Sequence, residues 1–166
     1  MRHLLAIGLM SGTSLDGIDA ALIETDGAAH VRPLGALTLP YAADFRKGLR
    51  QAIGGGLDPR AIEERLTDLH AAAVLALLRQ LDRRAGEIDV IGFHGQTVLH
   101  RPQERRTWQI GDGQRLADWV GIDVVHDFRS ADVAAGGEGA PLAPIYHAAL
   151  AARVRERPLA IVNIGG

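Results

Sequence analysis

Two apolar runs, Leu4 to Met10 and Ile18 to Ile23, flank the segment Ser11-Gly12-Thr13-Ser14-Leu15-Asp16-Gly17, and this arrangement limits the start of the chain more than any other feature. The runs are too short for buried helices, the second alternates apolar with other residues, and glycine sits between them, so the pattern predicts strand, turn, strand. As an ordinary hairpin the segment requires no ligand. It also has what an anion-binding turn needs: glycines that let a ligand approach the backbone, and hydroxyls on Ser11, Thr13 and Ser14 that can donate to phosphate oxygens. Asp16 is out of place beside a bare anion, because a carboxylate repels phosphate unless a cation lies between them. That points to a nucleotide carrying Mg²⁺.

The rest of the composition narrows the chemistry. With 166 residues, 47% of them apolar, and a net charge of -2, the chain can bury a core and reads as one soluble globular domain. Charges of both signs are interspersed, so the sequence offers no basic footprint for nucleic acid and no polybasic patch for a membrane. Lys47 is the sole lysine, and no GxxxxGK[ST] phosphate loop is present. The absence of cysteine removes disulfides, zinc thiolates and thiol nucleophiles. The apolar run after Arg2 is too short for a signal peptide, and no run approaches the roughly 18 residues of a spanning helix, so a cytoplasmic location is expected.

Along the chain, Val31 to Leu39 reads as a third strand closed by Pro40, giving an antiparallel start to a sheet. A helix is predicted from Asp44 to Ile53, stopped by three glycines. A second begins at Asp58-Pro59, with Ile62, Leu66, Leu69, Ala73, Leu77 and Leu81 forming one apolar stripe and His70 beside it at a partly buried or surface position. Ile88 to Phe93 reads as a strand that delivers His94-Gly95-Gln96-Thr97 as a polar loop at its carboxyl end, where ligands collect in α/β sheets. Thr107 to Ile110 is a strand, Gly111-Asp112-Gly113 a turn, Gln114 to Val120 a helix ended by Gly121, and Ile122 to Val125 a further strand. A glycine loop, Ala134 to Ala140, precedes a helix from about Pro141 to Arg153. Leu159 to Ile164 reads as a last strand leading into Gly165-Gly166, an unfinished pattern that suggests truncation.

Asp127, rigidly placed at a strand end, is the residue best suited to act as a base; a turn or capping aspartate is the alternative, and Asp132 competes for the role. Arg129 can neutralise either carboxylate or touch a phosphate. His94, His100 and His126 lack a metal-binding spacing, and no GxSxG elbow supports a serine hydrolase.

Taken together, Gly8-Leu9-Met10-Ser11-Gly12-Thr13-Ser14-Leu15-Asp16-Gly17-Ile18-Asp19-Ala20, His94-Gly95-Gln96-Thr97-Val98 with His100, Gln109-Ile110-Gly111-Asp112-Gly113, and the stretch from Asp127-Phe128-Arg129 through Asp132 to Leu142 resemble the anhydro-N-acetylmuramic acid kinase family. Asn163-Ile164-Gly165-Gly166 resembles the start of that family's second phosphate turn. The resemblance implies an α/β, actin-like, hexokinase-type (ribonuclease H-like) lobe with a mixed sheet flanked by helices. Residues 1–157 would form this first lobe and 158–166 the opening strand and turn of a second one. It also implies ATP and Mg²⁺ as cofactors and a cell-wall sugar, 1,6-anhydro-N-acetylmuramic acid, as substrate, with its ring opened and phosphorylated in one coupled step during peptidoglycan recycling. Homodimer formation is left open. By motif, Gly12, Thr13, Ser14, Leu15, Asp16, Gly17, Ile18 and Asp19 would hold the ATP phosphates, Asp127 would be the general base, and His94, Gly95, Gln96, Thr97 and Arg129 would contact the sugar. The competing reading is a stand-alone lobe without catalytic activity that binds a nucleotide or a partner.

Overall fold

The computed structural model describes residues 2–156 and 158–162. The expected antiparallel start is present: β1 (Leu4–Ser11), β2 (Gly17–Thr25) and β3 (Val31–Pro40) pair in sequence. Pro33 lies within β3, which is possible because β3 is the sheet edge, where a missing N–H costs no ladder bond. β4 (Val90–Arg101) then lies parallel to β1 on the other side, and β5 (Arg106–Ile110) and β6 (Val124–His126) both pair with β4. The order β3-β2-β1-β4-β5, with β6 alongside β4, is a mixed α/β sheet.

Helices α1 (Ala43–Ile53), α2 (Arg60–Gln80) and α3 (Gly113–Val120) supply the packing. β1 alternates buried Ile7, Leu9 and Ser11 with exposed Gly8 and Met10, so the core lies on one face of the sheet. The α2 stripe meets this face through Leu66 and Leu77, both fully buried. Asp58 starts α2 by accepting a hydrogen bond from the backbone N–H of Arg60 at 3.0 Å, and Asp112 caps α3 through the N–H of Arg115 at 2.9 Å. The Gly111-Asp112-Gly113 turn is fastened to α2, with the N–H of Gly111 donating to Glu63 and that of Asp112 to the Thr67 hydroxyl, at 2.9 and 3.0 Å.

Four local expectations change. β4 continues through His94-Gly95-Gln96-Thr97, so this motif is strand and not loop; its second half finds a ladder partner in β5, which the linear pattern does not reveal. A short helix, α4 (Ser130–Ala134), precedes the glycine loop, and α5 runs Ala143–Ala151, starting later than Pro141. His70 is fully buried, because its Nδ1–H donates back to the Leu66 carbonyl at 2.8 Å and its ring meets Phe93 edge-on at 4.8 Å. Residues 159–162 form no strand: extended backbone becomes a strand only by pairing, and no described neighbour pairs with them. Asn163 to Gly166, the second phosphate turn by resemblance, lie outside the described residues.

Candidate active site

The site is organised by a bulge. Leu9 pairs with Phe93 and Ser11 with Gln96, so β4 spends three residues where β1 spends two. Gly95 absorbs the extra residue with φ +68°, where a Cβ would run into the carbonyl oxygen of Ile110. The consequence is a change of phase along β4. Gln96 falls on the core face with Phe93, while His94 and Thr97 face the opposite side.

On the core face, Ser11 Oγ donates to Gln96 Oε1 at 2.5 Å, and therefore accepts the Tyr41 hydroxyl proton at 2.7 Å. All three side chains are buried, and burial pushes the Tyr41 phenol up to about 12. On the other side lies a cavity of about 440 Å³ lined by Met10, the Ser11-to-Ser14 turn, His94, Thr97, His100, Arg129 and Ala140.

Of the eight residues matched to phosphate binding, Gly12, Thr13 and Ser14 line this cavity. Leu15 and Ile18 are core residues. Gly17 is buried between strands, where a Cβ would lie 2.5 Å from the Leu39 carbonyl oxygen, so its missing side chain serves the β2–β3 approach. Asp19 accepts from the Thr38 hydroxyl across the ladder at 2.6 Å. Asp16 is exposed at the turn and accepts from the Ser14 hydroxyl at 2.7 Å; this bond, more than any other cause, holds its carboxyl below the usual range. The exposed Asp16 carboxylate and the Ser14 hydroxyl beside it are oxygen donors of the kind Mg²⁺ takes.

Among the five residues matched to sugar contact, His94, Thr97 and Arg129 line the cavity, whereas Gly95 is the bulge and Gln96 points away into the core. His94 Nδ1–H donates to the Gly95 carbonyl at 2.8 Å, so Nε2 is left to accept from Arg129, at 3.0 Å from its Nε. Burial, with the Arg129 charge adding to it, pulls His94 below the usual histidine range. Arg129 also donates to the Gly139 carbonyl, and the Gly139 N–H donates to Asp132 Oδ2 at 2.7 Å. Asp132 is thus committed to holding the glycine loop, which separates it from Asp127.

Asp127 has φ +55°, a left-handed conformation that aspartate tolerates better than most residues, and Oδ1 accepts from the Ser130 N–H at 3.3 Å. It does not line the large cavity. It lies on a crevice of about 20 Å³ with Gly95, Gly111 and His126, and His94 borders both spaces. His100 lines the same cavity: the first bulge puts Thr97, three residues on from His94, on the side of His94, and a second register shift between Thr97 and Leu99 returns His100, three residues further, to that side.

A mixed sheet of this order, with helices on the core face and a glycine and hydroxyl turn beside a cavity at the strand ends, defines an α/β lobe of the actin-like, hexokinase type. The anhydro-N-acetylmuramic acid kinase model matches residues 4–166, and the chain belongs to this family. It is 58% identical to the anhydro-N-acetylmuramic acid kinase of Rhizorhabdus wittichii over all of its own length and 48% of the relative's. It is 55% identical to that of Paramagnetospirillum magneticum, covering 98% of this chain and 46% of the relative. The corresponding protein of Rhodopseudomonas palustris is 54% identical, covering 97% and 47%. The chain spans about half the length of the curated relatives it matches.

Proposed function

We propose that this chain supplies the phosphate turn and the water-activating carboxylate of an ATP-dependent kinase that converts 1,6-anhydro-N-acetylmuramic acid and water to N-acetylmuramic acid 6-phosphate. The observation that carries this reading is the position of His94, bordered on one side by the Gly12-to-Ser14 turn and on the other by Asp127. In the anhydro sugar O6 is tied to C1 and has no proton to lose. Asp127 takes a proton from water as its oxygen bonds to C1, the C1–O6 bond breaks, and O6 attacks the γ-phosphorus while ADP leaves. Backbone N–H groups of the turn stabilise charge on the phosphoryl group, and Asp16 with the turn hydroxyls would hold Mg²⁺. Arg129, desolvated beside His94, supplies a fixed positive charge for the sugar's carboxylate. Peptidoglycan recycling and a cytoplasmic location fit this substrate, and no described helix is long and apolar enough to cross a membrane.

The test is Asp127→Asn in a two-lobed protein containing this chain, with sugar 6-phosphate and ADP measured in parallel. The variant keeps shape but accepts no proton, so kcat is expected to fall by roughly 10²-fold or more, with both products lost together. Near-parental turnover in Asp127→Asn, combined with inactivity of Asp132→Asn, would move the role to the other aspartate.

A further inference from the structure

At the far end of β1, roughly 25 Å along the strand from Ser11, three side chains converge that the kinase reading does not use. The β2–β3 turn is fixed by Asp26, whose Oδ1 accepts the backbone N–H groups of Ala28 and His30, both at 2.9 Å. This folds His30 back over Glu24, placing its Nε2 at 3.0 Å from Glu24 Oε1. From the start of β1, His3 brings Nδ1 to 3.6 Å from the same oxygen. The two imidazoles stack with centroids 4.2 Å apart and planes 8° from parallel. One ligand atom from each of the three residues lies within 4.8 Å of the others.

We propose that His3, Glu24 and His30 form a binding site for a divalent transition metal of the zinc class, serving as a clip between β1 and the β2–β3 turn. Two imidazoles and one carboxylate are a donor set that zinc and its neighbours favour. Bonds of about 2.1 Å put adjacent ligand atoms about 3.0 Å apart at right angles and about 3.4 Å apart in a tetrahedron, close to the two distances above. Parallel rings must tilt toward each other for both nitrogens to face one ion, and His3, with 45% of its side chain exposed, has room to do so. Solvent fills the remaining positions. Arg32 competes for the carboxylate, donating to Oε1 at 3.2 Å and Oε2 at 2.7 Å. It is 55% exposed, so swinging it away costs little.

The experiment uses the full-length protein without a histidine tag, stripped with chelator. Zn²⁺ is titrated by calorimetry and Co²⁺ by its visible d–d absorption. One equivalent is expected to bind with micromolar affinity and to raise the thermal midpoint. His30→Ala and Glu24→Gln should each weaken binding at least tenfold and abolish that rise, with circular dichroism unchanged. Arg32→Gln should tighten binding severalfold by removing the competing cation. The proposal is overturned if the parent shows no saturable uptake, if His30→Ala and Glu24→Gln bind as the parent does, or if Arg32→Gln binds more weakly. Loss of binding confined to His3→Ala would also overturn it, because the ion would then be held by the N-terminal segment alone.

Discussion

Arg129 donates from two nitrogens, at 3.0 and 2.9 Å, to a single acceptor, the Nε2 of His94. An imidazolium has no lone pair to receive such bonds, so this pairing fixes His94 as the neutral tautomer with its proton on Nδ1. The charge of Arg129 also opposes a second proton on the ring. Arg129→Gln is therefore expected to raise the His94 pKa toward its ordinary value, though not all the way, because burial still opposes charging. Titration of the His94 ring proton by NMR reads the shift directly. A pKa unchanged in the variant would mean that burial alone controls this histidine.

The Tyr41, Ser11 and Gln96 chain gives a second expectation, this time for stability. Ser11→Ala leaves a buried amide oxygen without its donor and the Tyr41 hydroxyl without its acceptor, at a cost of about 1–3 kcal/mol. Tyr41→Phe removes a donor only, leaves Ser11 still bonded to Gln96, and should cost about 1 kcal/mol. Urea denaturation of the two single variants and the double variant measures both values and their coupling. Equal, additive losses would show that the three groups do not act as a chain.

Gly95→Ala probes the bulge. The substitution places a Cβ against the Ile110 carbonyl and forces a left-handed backbone on alanine, so at least about 2 kcal/mol of stability should be lost. Gly8→Ala is the matched control, since a Cβ there meets nothing within 4 Å, and it should stay within about 0.5 kcal/mol of the parent. Comparable losses in both variants would point to strand propensity and not to the bulge.

His70 makes stability pH-dependent. Burial lowers its pKa from 6.5 to about 4, so the unfolded chain binds this proton more readily than the folded one. The full contribution is present above pH 6.5 and is lost progressively as pH falls toward 4, amounting to about 3 kcal/mol at the lower limit. His70→Leu removes the titrating group, and its denaturation midpoint should fall less over this interval. His94 shifts in the same direction and leaves a residual slope. A parent and variant with parallel pH profiles would rule out His70 as a source of the acid sensitivity.

The amino-acid sequence by itself determined the elements whose information is local. Short apolar or alternating runs define β1 to β3, the three- and four-residue spacing of Ile62, Leu66, Leu69, Ala73, Leu77 and Leu81 defines α2, and Gly121 ends α3. The motifs at Gly12 to Asp19, His94 to Thr97 and Asp127 to Arg129 also carried the family. Only the tertiary structure decided which members of those motifs share a cavity. One residue of bulge at Gly95 turns Gln96 into the core and Thr97 outward beside His94, and a second shift brings His100 to the same wall. Both depend on which strand pairs with β4, and that pairing is made between residues far apart in the chain. The commitment of Asp132 to Gly139, of Asp19 to Thr38 and of Gly17 to the β3 backbone was likewise invisible in the linear pattern, because each is a contact across elements. Spacing along a chain reports which face a side chain would take on an ideal strand, and a bulge resets that face without leaving a periodic trace.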